Sequence, residues 1–413
     1  MDLTLRKLLV SVAVLVPTLC LGLTRNATAS ALCDPLQPTT CTIGELADQL
    51  GIRFGSTLED FEITDSNYTT VLLREFTAVT PENSLKWYTN QPSRGQWEFG
   101  AGDAVVNFAV ESGLEIRGHV PVWSQDTYTP GWVKNITDPV DLLDVTIEHV
   151  TKVMTRYADR IDRWDVVNEP LLTFGTSQSA SVYWTLGEDW IGDVFRLART
   201  LDPDAELWIN EFGSDWVPGK HEAFLALVTR LVESGVPIDG VGVQTHRLPG
   251  AVLDQELFES QLRDFTALNL EVAVTELDVP VVPGDPNAFS RQAEEYRKVV
   301  AACLAVAGCT EITIWGITDS DTWLDRLGYF ATPTQPLLFD DDFAEKPAYT
   351  SIRNLLAETL ADRRLPETGS NSVAMIGLAI VLIAIGGSIH RRFSRALKED
   401  ADRQSGNWPD LLL

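Results

Sequence analysis

Two glutamates lie at the ends of short apolar runs, where a carboxyl group can face a shared site. Glu169 follows Asn168 at the end of one run, and Glu276 follows Thr275 near the end of another. A protonated carboxyl group can donate to a leaving oxygen, while an ionised one can attack an anomeric carbon or activate water. The pair therefore predicts hydrolysis of a glycosidic bond. The alternative is that both glutamates form salt bridges at the rim of the fold.

Further polar and aromatic side chains occupy the ends of the other apolar runs. Amide, imidazole and ammonium groups bind sugar hydroxyls, and indole rings stack on the apolar faces of pyranose rings. The candidates are Glu82, Asn83, Lys86, His119, Trp123, Asn168, Gln244, His246, Asp278, Trp315 and Trp323. We predict a structural or supporting role for Glu211 and helix-surface positions for His149 and His221. The sequence has no HExxH and no paired-histidine spacing, so we expect neither a catalytic metal nor a cofactor.

Eight runs of apolar and β-branched residues alternate with helix-period stretches, and they determine where these side chains can meet. The runs cover residues 52–58, 76–83, 115–123, 163–170, 205–213, 240–246, 271–279 and 312–319, and three of the helical stretches cover 141–157, 224–234 and 293–307. Runs that are apolar along most of their length indicate buried parallel strands. Eight strand–helix units predict a (β/α)8 TIM barrel, whose catalytic groups come from the carboxyl ends of the strands. A doubly wound sheet is the rival, but the chain has no GxGxxG or GxxxxGK(S/T) phosphate turn.

The composition fits one large globular domain. Hydrophobic residues make up 45% of the 413 residues and charged residues 22%, so the chain can bury a large core. It carries 59 Asp and Glu against 32 Lys and Arg, a formal net charge of −27. Such a surface repels nucleic acid and anionic lipid, so we expect an uncharged substrate.

The N-terminus has the features of a secretory signal peptide over residues 1–29. Arg6 and Lys7 precede a mostly apolar run at 8–23, and small residues suit cleavage after Ala29. A retained membrane helix is the alternative. Export agrees with the even number of cysteines that remain, which are Cys33, Cys41, Cys303 and Cys309. Three pairings are possible, and we favour the two local ones, Cys33–Cys41 and Cys303–Cys309, because each closes a short loop.

Three features follow one another near the C-terminus. An LPETG motif at 365–369 is followed by an apolar segment at 373–389, and then by the basic residues Arg391, Arg392 and Arg395. This order resembles the sorting signal of Gram-positive cell-wall proteins. The resemblance implies that a sortase cleaves between Thr368 and Gly369 and links Thr368 to peptidoglycan, with a cytoplasmic tail at 390–413. Plain membrane anchoring through the apolar segment is the alternative. In both cases we expect a secreted catalytic domain that is held at the cell surface.

Seven motifs occur in order through the middle of the chain. They are TPENSLKW at 80–87, WDVVNE at 164–169, GVGVQTH at 240–246, VTELD at 274–278, WGITD at 315–319, PLLFD at 336–340 and KPAY at 346–349. Together they resemble the endo-1,4-β-xylanases of glycoside hydrolase family 10. The resemblance covers about residues 42–360, with the motifs in the family's order. It implies a retaining hydrolase that cuts internal bonds of xylan by double displacement, with the two carboxyl groups about 5–5.5 Å apart.

The resemblance also implies roles for individual residues. Glu276 is implied as the nucleophile, and Glu169 as the general acid and then the base, with its pKa raised. His246 is implied to bond Glu276 and to be oriented by Asp278. The other implied roles are Asn168 on the 2-hydroxyl, Gln244 beside the acid/base pair, Glu82, Asn83, Lys86 and His119 on hydroxyls of the non-reducing side, and Trp123, Trp315 and Trp323 as walls. A disulfide that fungal members often carry before strand eight supports Cys303–Cys309.

Strand three departs from the family's sequence. The family usually has Gly-His-Thr-Leu-Val-Trp-His-Ser-Gln, whereas this chain has GHVPVWSQ at 118–125. Either one residue is missing or the second histidine has become Ser124, so an imidazole is absent close to Gln125. Two alternatives to a xylanase remain, and the missing imidazole supports only the second. One is a retaining β-glycanase for another polymer, such as a cellulase, and the other is a catalytically weak carbohydrate-binding protein at the cell surface.

Overall fold

Eight parallel strands close into one barrel. The structure, a computed structural model, describes residues 33–326, 328 and 330–364. The strands are β1 Arg53–Leu58, β2 Ala78–Pro81, β3 Glu115–Trp123, β4 Arg163–Asn168, β5 Glu206–Glu211, β6 Gly240–Val243, β7 Glu271–Leu277 and β8 Cys309–Ile314. Neighbours in sequence pair in parallel, and β1 pairs with β8 to complete the ring. The predicted (β/α)8 barrel is therefore confirmed.

Helices follow the strands and form the outer layer. They are α1 Ile43–Leu50, α2 Ser66–Glu75, α3 Trp87–Asn90, α4 Gly100–Ser112, α5 Gly131–Lys134, α6 Pro139–Tyr157, α7 Trp190–Leu201, α8 Lys220–Glu233, α9 Gln255–Thr266, α10 Ala288–Leu304, α11 Trp323–Arg326 and α12 Pro347–Arg364. The three predicted helical stretches correspond to α6, α8 and α10. α12 packs against α1 and α10, so the last helix of the domain covers the same side of the barrel as the first.

Local sequence signals define the helix that opens the domain. The Thr42 hydroxyl accepts the N–H of Glu45, and the Glu45 carboxylate accepts the N–H of Thr42, which forms a capping box. Gly51 ends α1 in the left-handed conformation at φ 77°, where a residue with a side chain would be strained. The chain then turns directly into β1.

A buried ion network lies in the barrel near the amino ends of the strands. Arg117 on β3 contacts Glu311 on β8 at 2.9 Å and Asp165 on β4 at 2.6 Å, and Arg163 also contacts Glu311. Burial raises the pKa of Glu311, but the two guanidinium groups hold it well below its usual range. Asp165 also lies 3.0 Å from Nδ1 of His119, so the network reaches the polar end of the barrel.

The prediction for strand eight is wrong in its limits. β8 begins at Cys309 and ends at Ile314, instead of spanning 312–319. The first half of β8 contains Glu311, which is buried against the arginines of the ion network. Because this half is not an apolar run, the sequence pattern did not indicate it as strand. The other seven predicted strands are present, and several end earlier than expected, which places the residues that follow them in loops at the barrel mouth.

The surface positions predicted for His149 and His221 are also wrong. His149 on α6 is fully buried, with its ring parallel to Trp87 and 4.0 Å away between centroids. His221 on α8 is buried and lies 2.9 Å from a carboxylate oxygen of Asp264 on α9. Both histidines face neighbouring elements of the fold, which helix periodicity alone did not reveal.

The two local disulfides are present as predicted. Cys33 and Cys41 have Cα atoms 5.5 Å apart, and those of Cys303 and Cys309 are 5.4 Å apart. The first closes the loop before α1. The second joins α10 to the first residue of β8, the strand that carries Glu311.

The predictions for both ends of the chain concern residues outside the described part. These are the signal peptide at 1–29, the LPETG motif at 365–369 with Thr368 and Gly369, the apolar segment at 373–389 and the tail at 390–413. Among residues 33–326, 328 and 330–364, no helix combines the length and the apolar character that crossing a bilayer requires.

Candidate active site

Glu169 and Glu276 come together at one end of the barrel. Glu169 directly follows β4 and Glu276 lies near the end of β7, and all strands point their carboxyl ends to the same face. The two residues are only 6% and 4% exposed. Glu169 has a φ of 53°, a left-handed conformation that is unfavourable for a residue with a side chain. Its N–H donates to the carbonyl of Asn210 at 2.9 Å, which ties this turn to β5.

Amide side chains connect the two carboxylates. Asn168 and Gln244 both donate to Oε1 of Glu169, at 3.2 and 3.1 Å. Asn210 donates from Nδ2 to Oδ1 of Asn168 at 2.9 Å and to Oε1 of Glu276 at 2.6 Å. A continuous chain of hydrogen bonds therefore joins Glu169 to Glu276 and constrains their relative orientation.

Residues of β6 and β7 hold Asn210 in this position. The Thr275 hydroxyl on β7 donates to Oδ1 of Asn210 at 2.7 Å. Gly242 on β6 lies so close that a Cβ atom there would be 2.2 Å from the same oxygen. A side chain at position 242 would therefore displace Asn210, and the site requires glycine for close approach.

His246 lies between Glu276 and Asp278. Its Nε2 is 3.1 Å from Oε2 of Glu276, and its Nδ1 is 2.9 Å from Oδ2 of Asp278. Burial lowers the pKa of His246, but the charge of Asp278 and the hydrogen bonds to both carboxylates raise it to about 10. The ring is therefore an imidazolium at neutral pH and donates to both carboxylates. The indole of Trp323 donates to the same oxygen of Asp278 at 2.7 Å.

The surroundings push the pKa values of the two glutamates apart. Burial raises the pKa of Glu276, but the hydrogen bond from His246 and nearby positive charges bring it below its usual value. Burial raises the pKa of Glu169 above its usual value, the hydrogen bond from Gln244 opposes this, and the charge of Glu276 adds to it. One carboxyl group is thus favoured in the ionised form and the other in the protonated form.

The polar residues predicted after β2 form a second group. Glu82 accepts two hydrogen bonds from Arg326, at 2.5 and 2.7 Å. Lys86 donates to Oδ1 of Asn83 at 3.3 Å, and Tyr88 donates to the same oxygen at 2.7 Å. Burial lowers the pKa of Lys86, while the neighbouring carboxylates oppose this. These groups supply donors and acceptors of the kind that sugar hydroxyls require.

Aromatic rings and the two histidines connect this group to the carboxylates. The ring centroid of His119 is 6.5 Å from Trp123 and 5.4 Å from Trp315. The ring of His246 is 6.1 Å from Trp315 and 4.8 Å from Trp323. The structure therefore brings the predicted aromatic residues and both histidines to one site.

The arrangement can perform acid–base chemistry at a sugar ring with protein groups alone. It offers an ionised carboxylate, a carboxyl group that favours its proton, and flanking groups for hydroxyls and ring faces. In the part of the chain that the structure describes, no cluster of three or more histidine, cysteine, aspartate or glutamate side chains is arranged to hold a metal.

The chain was compared with models of known protein families. A model of glycosyl hydrolase family 10 matches residues 42–355, most of the described chain. The chain belongs to glycosyl hydrolase family 10. The resemblance that the sequence motifs indicated is therefore confirmed at the level of the family.

Individual family 10 proteins are similar over most of the chain. Endo-1,4-beta-xylanase 3 from Hypocrea jecorina is 37% identical over 317 residues, which are 76% of this chain and 86% of the relative. Endo-1,4-beta-xylanase A from Phanerodontia chrysosporium is 34% identical over 319 residues, 76% of this chain and 77% of the relative. Native xylanase 10B from Thermotoga maritima superposes with a TM-score of 0.73 at 32% identity, covering 78% of this chain and 100% of that one.

The departure from the family 10 sequence falls at Ser124, directly after β3 and next to Gln125. The hydroxyl of Ser124 lies 2.9 Å from that of Ser179. The amide of Gln125 donates to the carbonyl of Leu171 at 2.9 Å. Both contacts are with the chain that follows Glu169, at Ser179 and Leu171.

Two residues of the family 10 site have roles that the sequence did not indicate. Asn210 was visible as a polar residue at the end of strand five, but its bond to Glu276 depends on the register of three strands. Arg326 comes from the short helix after β8, and its pairing with Glu82 joins residues that are far apart in the chain. No local pattern indicates either contact.

An aromatic cluster on the loops that follow β4 and β5 was also missed. Phe174, in the loop after β4, is 72% exposed and lies 5.9 Å from Phe212 and 6.1 Å from Trp216 between ring centroids. Phe212 in turn lies 5.9 Å from the ring of His246. The cluster therefore extends from the catalytic end of the barrel to the surface, on the loops that follow β4 and β5.

Proposed function

We propose that this family 10 enzyme is an endo-1,4-β-xylanase that hydrolyses internal bonds of xylan with retention of anomeric configuration. The observation that carries the proposal is the opposed setting of two buried glutamates: His246 favours ionised Glu276, while burial favours protonated Glu169. The relatives compared are endo-1,4-beta-xylanases by name. The cellulase-like and binding-protein alternatives are not favoured, since the paired carboxylates are in place and the relatives act on xylan by name.

The proposed reaction has two displacements. The Glu276 carboxylate attacks the anomeric carbon while Glu169 transfers its proton to the leaving oxygen, so the glycosidic bond breaks and a glycosyl ester forms. Water then attacks the same carbon, Glu169 takes the proton, and Glu276 leaves as a carboxylate. Two inversions give net retention.

The remaining residues bind and orient the sugar in this proposal. Asn168 bonds the 2-hydroxyl of the sugar being cleaved, and Gln244 holds Glu169. His246, oriented by Asp278, keeps Glu276 ionised. On the non-reducing side, hydroxyls are bound by Glu82, Asn83, Lys86 and His119, and Trp123, Trp315 and Trp323 form the walls. The pairing of Glu82 with Arg326 orients its carboxylate for this contact.

Hydrolysis of two polymers tests the proposal. Reducing-sugar release is measured on xylan and on carboxymethyl cellulose, for the parent and for Glu169→Gln and Glu276→Gln. The parent should act on xylan and much less on the cellulose derivative, and each variant should lose at least roughly a thousandfold in kcat on xylan. Glu233→Gln, an exposed change at the end of α8, is the matched control and should act like the parent. Preference for the cellulose derivative, or xylan binding without hydrolysis, would overturn the proposal.

We further propose that the domain at 42–360 is exported and attached to the cell wall. Support comes from the signal-peptide features of residues 1–29, from the two disulfides, which fit an oxidising compartment, and from the LPETG motif at 365–369. In this proposal sortase joins Thr368 to peptidoglycan and releases Gly369 with the rest of the C-terminus. Mass spectrometry of the wall fraction should find a C-terminal peptide that ends at Thr368 and carries a wall fragment. Full-length protein in the membrane fraction would indicate anchoring through 373–389 instead.

A further inference from the structure

Polar side chains form hydrogen bonds to the backbone of the segment that follows Glu169, and we call this set of bonds the clamp. The N–H of Leu171 donates to Oε2 of Glu211 at 3.0 Å, and the carbonyl of Leu171 accepts from Gln125 at 2.9 Å. The carbonyl of Thr173 accepts from Nζ of Lys220 at 3.1 Å. Three side chains from the loop after β3, from β5 and from α8 therefore fix a stretch of chain that begins at Glu169.

Two of these side chains form a buried ion pair. Nζ of Lys220 lies 2.9 Å from Oε1 of Glu211, and both side chains have no exposed surface. The second oxygen of Glu211 is used for the N–H of Leu171, and Lys220 reaches Thr173 in addition, so each charge also serves the segment. Buried ion pairs contribute little net stability, because desolvation offsets their attraction, so stability alone does not explain this pair.

The backbone of Glu169 gives a reason for the clamp. Its φ of 53° is unfavourable for any residue with a Cβ atom, and such a conformation persists only where the surroundings enforce it. The bond from Glu169 N–H to Asn210 fixes the start of the turn. Glu211 and Lys220 fix its continuation, two and four residues later.

We propose that Glu211 and Lys220 are positioning residues for the general acid. They hold the turn at Glu169 so that its carboxyl group stays within hydrogen-bond distance of the leaving oxygen. The inference rests on the proposed function, in which Glu169 protonates that oxygen. Neither residue touches the reacting atoms; each acts through the backbone of Leu171 or Thr173. Relaxation of the turn would move the Glu169 carboxyl group away from the leaving oxygen and leave the nucleophile Glu276 in place.

Leaving-group dependence separates this role from a purely structural one. In aryl xylobiosides, a phenol of low pKa leaves as the phenolate without a proton. A phenol of high pKa requires a proton from the general acid. We measure kcat/KM, which reports glycosylation, across such a series for the parent and for Lys220→Met. The variant should resemble the parent on the dinitrophenyl xylobioside and lose at least roughly tenfold on the phenyl xylobioside. A uniform loss across the series, or no loss, would overturn the proposal.

Two further variants keep the test decisive. If Lys220→Met leaves Glu211 as an uncompensated buried charge and fails to fold, the double variant Glu211→Gln/Lys220→Met removes both charges. It should fold and still lose activity selectively on the phenyl xylobioside, because the bond to Thr173 is gone. The matched control is Lys346→Met, which breaks another buried pair, with Asp319 at 2.8 Å. It should change stability without changing the leaving-group dependence.

The same experiment distinguishes failure of the inference from failure of the proposed function. A parent that hydrolyses no aryl xylobioside contradicts the function itself. A parent that hydrolyses the series, accompanied by positioning variants with unchanged leaving-group dependence, contradicts only the role given to Glu211 and Lys220.

Discussion

His246 donates from Nε2 to Oε2 of Glu276 across 3.1 Å. Because the other ring nitrogen faces Asp278, both hydrogen-bonding positions of the imidazolium are occupied by carboxylates. The proton on the ring is therefore stabilised from both sides, and its positive charge stabilises the ionised form of Glu276. The protonation state of Glu276 therefore depends on Asp278, which acts through His246.

Removal of the charge of Asp278 should shift the pH dependence of the enzyme. In Asp278→Asn, the pKa of His246 falls because its main source of stabilisation is lost. A neutral ring stabilises the Glu276 carboxylate less, so the pKa of Glu276 rises. The acidic limb of kcat/KM against pH should therefore move to higher pH.

Trp323→Phe is the control for this prediction. It removes the indole that donates to Asp278 but keeps the charge of Asp278, so the acidic limb should stay close to that of the parent. An acidic limb in Asp278→Asn that stays in place or moves to lower pH would contradict the proposed link between Asp278 and Glu276.

The pKa of Glu169 should respond to the charge of Glu276. Burial and the negative charge of Glu276 raise it, so neutralisation of Glu276 in the variant Glu276→Gln should lower it. The same change occurs in the reaction, because the glycosyl ester on Glu276 is neutral, and a lower pKa suits Glu169 for its second role as a base. Carbon-13 NMR titration of glutamate side chains measures the shift. Glu82→Gln, whose charge is already paired with Arg326, should leave the pKa of Glu169 nearly unchanged; equal shifts in the two variants would refute the specific coupling.

Sequence patterns predicted the strands correctly where the strand position depends on local periodicity. Seven of the strands lie close to their predicted positions, because most of them are rich in apolar and β-branched residues even where a charge such as Arg117 or Asp165 interrupts the run. β8 was misplaced because Glu311 is compensated by Arg117 and Arg163, which are far away in the sequence. A charge that is neutralised across the barrel looks in the sequence like a break in the strand.

The same distinction applies to the site. Glu169 and Glu276 could be identified because a strand end is a local feature and a parallel barrel brings all such ends together. The bond between Asn210 and Glu276 could not be identified, since it depends on strand register and on the space left by Gly242. Long-range geometry of this kind has no signature in a single stretch of sequence.

His149 should make the protein sensitive to acid. The residue is fully buried against Trp87, and burial lowers its pKa to about 3. The unfolded chain takes up a proton near the ordinary value of about 6.5, so the folded state loses stability as pH falls from there towards 3. In His149→Phe, which keeps a ring against Trp87, this loss should be absent. Between pH 7 and pH 4, urea unfolding should show a loss of stability in the parent that exceeds the loss in the variant by about 3 kcal/mol. An identical loss in both proteins would show that other groups account for the acid sensitivity.

The exposed ring of Phe174 should contribute to binding on the leaving-group side. It follows Glu169 along the chain and packs with Phe212 and Trp216, so Phe174→Ala should raise KM for xylohexaose by roughly two- to tenfold through lost stacking. KM for an aryl xylobioside, which has no sugar on that side, should not change. Leu257→Ala, an exposed apolar change on α9, is the control and should alter neither value. Equal effects on both substrates would argue against this placement.

Covalent trapping tests the assignment of the nucleophile most directly. A 2-deoxy-2-fluoro xylobioside with an activated leaving group forms the glycosyl ester readily but slows its hydrolysis, so the intermediate accumulates. Mass spectrometry of the inactivated protein should show the addition of one fluoroxylobiosyl group, and peptide mapping should place it on Glu276. A label on another residue, or turnover with inversion and no label, would contradict the double-displacement mechanism with Glu276 as nucleophile.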